Sequence, residues 1–250
     1  MMAGPNGSKL FFDSEKPSEA NLTSADIFVA LHTKYTVNIE TIQSLERAGL
    51  LGSLRVIRTP FFDRARNDAV QQFLASGCRY LLWVDDDNDV PENIMSLFDR
   101  NEPCLAPVNW CQFPQKDRTS ILPGVSWWLG EDSMPLVCFL TPPLLRVYQS
   151  MGFRWLDGAN CCAGGVWAVR RDVFQDEKMQ DPDGEWFKMT WQDASGKTHR
   201  SEDNHWFYKF WRAGYHVSVD LTMEAGHYKR VNMALIAKQL FGGWKVAVPK

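Results

Sequence analysis

No stretch of about 18 consecutive apolar residues occurs in the sequence, so no segment is suited to cross a bilayer as a helix. Met1 to Lys9 is rich in Gly, Pro, Asn and Ser and lacks the apolar centre of a secretory signal, which makes the cytoplasm the expected location. Positive charge is short as well. With a formal net charge of −3, no overall field draws the chain to nucleic acid or to an anionic membrane, and any such binding has to be local. The six cysteines, Cys78, Cys104, Cys111, Cys138, Cys161 and Cys162, lack the paired spacing of a zinc ribbon, so reduced thiols are expected. Adjacent Cys161 and Cys162 matter more for their small size than for redox chemistry.

What is present is the composition of a folded enzyme. At 250 residues the chain suffices for one sizeable core or a core with a small lobe, and 45% hydrophobic with 23% charged residues argues against disorder. The expected organisation is a loose segment over 1–24 and a single catalytic domain over 25–250. Within that domain, 25–108 is the nucleotide-binding half, 109–230 the acceptor-binding half and 231–250 a C-terminal tail. Eleven tryptophans can fill a core or floor a sugar or base pocket, since indole joins a flat apolar face to one N–H donor.

Asp26 to His32 is an apolar run suited to a strand buried on both faces. Thr36 to Leu51 carries apolar residues at helical spacing and closes at Gly49 and Gly52. Leu54 to Arg58 reads as a second strand, Arg64 to Ser76 as a second helix stopped by Gly77, and Tyr80 to Val84 as a third strand. This alternation is the grammar of a doubly wound α/β sheet, whose ligands bind beyond the carboxyl ends of the strands.

The third strand runs directly into Asp85-Asp86-Asp87, at such an end. Grouped carboxylates repel one another, and alternate members can share an oxygen-preferring cation; the other reading is a solvated turn capping a helix that starts near Pro91. Between Gly158 and Phe174 a run of small residues with Gly164 and Gly165 leads into a strand and a helix starting at Asp172. It suits either the floor of a sugar pocket, approached closely by backbone, or a bulge in a tightly packed strand. Ser201 to Tyr215 reads as an aromatic helix with Glu202 and Asp203 at its N-terminus, where the helix dipole favours negative charge. A final strand over Tyr215 to Asp220 precedes Gly226-His227-Tyr228.

Taken together, Arg66-Asn67, Asp85-Asp86-Asp87, Pro91, the small-residue loop, Glu202-Asp203, Ala213-Gly214-Tyr215 and His227 resemble the GT-A glycosyltransferase superfamily, in that order over most of the chain. The resemblance implies a GT-A (nucleotide-diphospho-sugar transferase) fold, with a Rossmann-like, mostly parallel central sheet flanked by helices. It implies Mn²⁺ or Mg²⁺ held by Asp85, Asp87 and His227 on the diphosphate of a nucleotide-sugar, with UDP favoured. Asp86 then lies near the donor's ribose or sugar, and Gly164 and Gly165 line the sugars. Thr33 and Tyr35 meet the base and ribose, while Arg66, with Asn67, reaches a phosphate or the base edge. Asp203, with Glu202 as the alternative, is the base of an inverting reaction.

The acceptor half is less defined. Asn109 to Glu131, with Trp110, Phe113, Trp127 and Trp128 broken by Pro and Gly, reads as a binding lip or as a Trp-rich flap on the core. Acceptors to weigh are a glycan or, with locally basic regions at Arg55, Arg58, Arg64 and Arg66 and at Lys229, Arg230, Lys238 and Lys245, a hydroxymethylated base in DNA. A nucleotidyltransferase would share the sheet and the acids, but no Gly-rich phosphate loop with a Lys follows Asp26 to His32. A carbohydrate-binding relative without turnover is the third reading.

Overall fold

Apolar runs punctuated by glycine build the first half of the chain. The computed structural model describes residues 2–3, 9–10, 22–114, 119–128, 137–162, 165–189 and 201–228. Strand β1 (Ile27–Thr33) is buried at every position, as its unbroken apolar character requires. It lies between two parallel neighbours, β2 (Leu54–Arg58) and β3 (Tyr80–Asp85). Helices α1 (Ile39–Arg47) and α2 (Phe62–Ser76) make the crossovers. Gly77 ends α2 in the left-handed conformation at φ 80°, which an L side chain resists.

Apart from a separate two-stranded pair of Met2–Ala3 with Lys9–Leu10, the remaining strands are β4 (Asn88–Asp89), β5 (Cys104–Pro114), β6 (Thr119–Pro123), β7 (Val125–Trp128), β8 (Val137–Phe139), β9 (Trp155–Ala159), β10 (Cys161–Cys162), β11 (Val166–Arg170) and β12 (Val217–His227). The main sheet has nine strands, seven of them in the order β9-β12-β5-β11-β3-β1-β2, with β4 added to β12 and β6 to β5. Along this path β11 runs antiparallel to β3 and β5, and β9 antiparallel to β12, while the other strands share one direction. The result is a mixed α/β fold with a mostly parallel central sheet flanked by helices, as the sequence leads one to expect. A smaller three-stranded sheet has the order β8-β7-β10.

The alternation of side chains along β1 divides the core into two layers. Phe28 and Ala30 belong to a layer that holds Phe73 of α2, Leu145 of helix α3 (Pro142–Ser150) and Trp206 of helix α5 (Glu202–Arg212), with Phe28 against Phe73. Ile27, Val29 and Leu31 face α1 and the 3₁₀ turn Ile94–Asp99, meeting Leu45, Leu97 and Phe98. Short α4 (Arg171–Gln175) follows β11. Arg171 reaches back from it to the end of α2, donating to the carbonyls of Phe73 (2.9 Å), Leu74 (2.9 Å) and Cys78 (2.7 Å). Among the described residues, no helix is long and apolar enough to cross a membrane.

Several boundaries differ from expectation, each for a local reason. Helix α1 starts at Ile39 rather than Thr36, because Asn38 is extended and its N–H is held by the Asp86 carbonyl at 3.0 Å. No regular α-helix starts near Pro91; a 3₁₀ turn begins at Ile94. Strand β12 does not end at Asp220 but runs to His227, shifting register on β5 between Asp220 and Glu224 and then pairing with β4. Asn109 to Glu131 is, where described, chiefly the β5–β6 hairpin followed by β7, and Trp127 within it is core at 5% exposure rather than an open aromatic face. The side chains of Phe113 and Trp128 lie outside the described residues, as do Gly164 and the basic residues Lys229, Arg230, Lys238 and Lys245.

Candidate active site at the carboxyl end of the third strand

Asp85 closes β3, and the chain turns at Asp86 and Asp87 into β4. All three acids are half-buried, so the turn is not simply a solvated cap. Its backbone is tied on two sides. The Asp86 carbonyl accepts the Asn38 N–H and, at 3.2 Å, the Thr41 hydroxyl. The Asp87 carbonyl accepts the Tyr228 N–H at 2.7 Å.

Asn88, which sequence reasoning passed over, fastens this turn to β12. It is fully buried, pairs with His227, and donates its amide to the Gly226 carbonyl at 3.1 Å, while its buried Oδ1 has no hydrogen-bond partner among the described residues. Gly165 fits against the same place: its carbonyl accepts the Asp85 N–H at 3.0 Å. A Cβ there would stand 1.9 Å from Asn88 Oδ1 and 2.7 Å from Asp85 Cβ. The glycine is therefore required by close approach of β11 to the acid turn.

Arg66 comes from α2. Its Nη2 donates to Asp85 Oδ1 at 3.3 Å, and its guanidinium packs on the rings of Trp83 (4.6 Å) and Trp167 (5.6 Å), which face each other across β3 and β11. At 4% exposure it does not present itself to a nucleotide, contrary to the expected reach to a phosphate or base edge. Asn67 is also engaged internally. Its Oδ1 accepts the N–H groups of Trp186 and Phe187 at 2.9 and 3.0 Å, and its Nδ2 donates to the Phe187 carbonyl at 2.8 Å.

The first turn of α5 supplies Glu202 and Asp203. Glu202 points inward at 7% exposure, and its carboxyl is raised to about 7 by burial and then by the neighbouring Asp203 charge, against the pull of Arg66. Asp203 is less enclosed; its Oδ1 accepts the Ser201 hydroxyl in a short hydrogen bond and the Asn204 N–H at 2.7 Å.

His227 lies at the end of β12, not after it. Its Nδ1 sits 2.7 Å from the Trp110 carbonyl, and since a carbonyl only accepts, Nδ1 carries the hydrogen and Nε2 keeps its lone pair in the neutral ring. Among the described residues no three His, Cys, Asp or Glu side chains stand close enough together to hold a metal ion, so Asp85, Asp87 and His227 are not drawn into a closed ligand set. What fits is the chemistry of the donors: two carboxylates around one turn, and an imidazole fixed by its other nitrogen on the strand paired to that turn.

Of the expected base and ribose contacts, Thr33 is buried and its hydroxyl donates to the Thr36 carbonyl at 2.9 Å. Tyr35 is 73% exposed, with the Lys34 ammonium 4.8 Å above its ring. The structure thus gathers Asp85, Arg66, Gly165 and Asn88, with Glu202 within the electrostatic reach of Asp85 and Arg66, and leaves Tyr35 exposed to solvent.

No model of a known protein family matches the chain, and no curated protein matches it. Among solved structures, the chain is similar to A197 from STIV, at 14% identity and a TM-score of 0.45, over 81% of this chain and 85% of that one. It is also similar to GalNAc-T7, crystallised with UDP, GalNAc and Mn²⁺, at 16% identity and a TM-score of 0.48; the match covers 89% of this chain but only 45% of that one.

Proposed function

We propose that the chain is a GT-A-type, metal-dependent glycosyltransferase that moves a sugar from a nucleotide-diphosphate donor, UDP-linked by preference, to an acceptor hydroxyl. The observation that carries this reading is the meeting of three separate chain segments at one strand end: Asp85 on β3, Gly165 entering β11, and the His227 end of β12 fastened through Asn88. That is where an open α/β sheet binds its ligand.

Asp85 and Asp87, with His227 beside them, would hold a divalent cation, which would supply a Lewis acid to offset negative charge growing on the leaving diphosphate. Gly165 lets backbone, rather than side chain, border the sugar. Asp203, the more open of the two α5 acids, takes the proton of the attacking acceptor hydroxyl in an inverting reaction. Glu202 stays inside against Arg66. The acceptor is a glycan or, as the lesser alternative, a hydroxymethylated base in DNA.

The test is incubation with Mn²⁺ and a panel of nucleotide-sugars, read as release of a nucleoside diphosphate. Asp87→Asn is expected to abolish metal-dependent binding of the best donor by calorimetry while leaving the circular dichroism spectrum unchanged. Unaltered donor affinity removes the assignment of the acid turn, and pyrophosphate release from a nucleoside triphosphate would favour nucleotidyl transfer instead.

A further inference from the structure

We propose that Arg66 is a positioning residue: a single buried cation that orients Asp85 from β3 and offsets the buried charge of Glu202 on α5, an inference that rests on the glycosyl-transfer reading of the crevice. Three features of the side chain lead there. It is enclosed to 4% exposure, so it does not meet a donor from solvent. It makes a hydrogen bond through Nη2 to Asp85 Oδ1, on the side of a carboxylate whose side chain is still 27% exposed. Its Nε and Nη1 are buried and have no hydrogen-bond partner among the described residues.

A guanidinium in such a place is a poor choice for packing alone. Between α2 and the Trp83–Trp167 pair, an apolar side chain of the same length would fill the space without two unmade hydrogen bonds and a buried charge. The charge has a use only through its neighbours. Glu202 is the buried carboxyl within its field, brought by the helix that also places Trp206 against Trp167. Asp85 and Glu202 repel each other, and Arg66 is the cation that interacts with both. By holding Oδ1 of Asp85, it restrains the rotamer of that half-buried carboxylate. An outer partner of this kind orients a ligating carboxylate without touching what the carboxylate binds.

Two variants separate charge from shape. Arg66→Met keeps an apolar filling between the rings and removes the cation, whereas Arg66→Lys keeps a cation without the planar fork. In urea denaturation of the full chain at pH 8, Arg66→Met is expected to lower the midpoint. Glu202→Gln should raise the midpoint more in the Arg66→Met background than in the parent, because an amide needs no counter-charge; equal increments in the two backgrounds would overturn the link between the two residues.

In nucleoside diphosphate release from the best donor with Mn²⁺, Arg66→Met is expected to lower kcat about 10- to 100-fold with KM within about twofold, Arg66→Lys falling between it and the parent. A rise in KM at constant kcat would mean that Arg66 contacts the donor and would overturn the positioning role. Failure of the parent chain to act on any nucleotide-sugar defeats the transferase reading, while the denaturation cycle still decides whether Arg66 joins the two carboxylates. Should Arg66→Met not fold, Arg66→Lys alone and with Glu202→Gln supplies the same cycle.

Discussion

Replacing Gly165 with alanine adds one methyl group at the most crowded point of the crevice. The new Cβ would lie 1.9 Å from Asn88 Oδ1 and 2.7 Å from both Asn88 Cγ and Asp85 Cβ. Contact at ordinary van der Waals range requires the Asn88 oxygen to retreat by roughly 1.5 Å. Asn88 has little room for it: the side chain is fully buried, its Nδ2 is held by the Gly226 carbonyl, and its backbone pairs with His227. Overpacking of this kind costs about 1–3 kcal/mol, and losing the Asn88–Gly226 hydrogen bond adds about 1 kcal/mol, for a total of about 2–4 kcal/mol. In a chain of this length that lowers Tm by about 5–15 °C. Because Asp85 Cβ must shift too, Mn²⁺-dependent UDP binding is expected to weaken about tenfold or more.

Gly77→Ala is the control. Gly77 has φ +80° and nothing within 4 Å of a Cβ, so its substitution costs about 1–2 kcal/mol from backbone strain alone and leaves UDP binding as it was. Adding Asn88→Ala to Gly165→Ala removes the nearest obstacle and should restore part of the stability, though not the Asp85 contact. Differential scanning calorimetry and titration calorimetry read both quantities. A Gly165→Ala protein no less stable than Gly77→Ala, with undiminished UDP affinity, would refute the close-approach argument.

Two further outcomes follow from buried charge. Glu202 has its folded pKa raised from the ordinary 4.5 to about 7, so its stabilising protonated form is fully present below 4.5 and is lost as pH rises through 7. Glu202→Gln should therefore match the parent near pH 4.5 and exceed it by roughly 2–3 kcal/mol at pH 8, and a difference independent of pH in urea denaturation would contradict this. Arg171→Met removes three charge-assisted hydrogen bonds from the end of α2 and should cost about 2–4 kcal/mol in the same assay, given partial rehydration of the carbonyls; a loss below about 0.5 kcal/mol would show that the cap is idle.

The parts of the fold legible in sequence were those determined by local pattern. Continuous apolar runs marked β1 and β3, and helical spacing stopped by Gly77 marked α2. What escaped depends on pairing between distant segments. β4 has two residues and no periodicity of its own; it exists because β12 runs past Asp220 to meet it. The same holds within the site. Asp85 and Asp87 could be found because an acid cluster after a buried strand is chemically unusual, whereas the need for Gly165 arises only when Asn88 is placed against it. Asn67 was expected at a donor, yet its amide closes on the backbone of Trp186 and Phe187, a pairing across 119 and 120 residues that no motif records. The tryptophans, open to two uses by composition, go to the core at Trp83, Trp167 and Trp206, where ring edges and faces bind β3, β11 and α5 into one aromatic layer.

That aromatic layer also accounts for the electrostatics of the crevice. With Trp83, Trp167 and Trp206 buried in that layer, the carboxyl of Glu202 is raised first by its own burial and then by repulsion from Asp203 and Asp85, which is felt at low dielectric. Arg66 answers only part of it, because a single guanidinium is divided between two acids. The acid turn itself keeps Asp85, Asp86 and Asp87 half-buried at the strand end. An anionic diphosphate approaching that turn meets like charge at close range, which costs several kcal/mol unless positive charge arrives with it. On the glycosyl-transfer reading proposed above, donor binding and cation binding would then be one event, and the deficit of positive charge around Asp85 would be what makes them so.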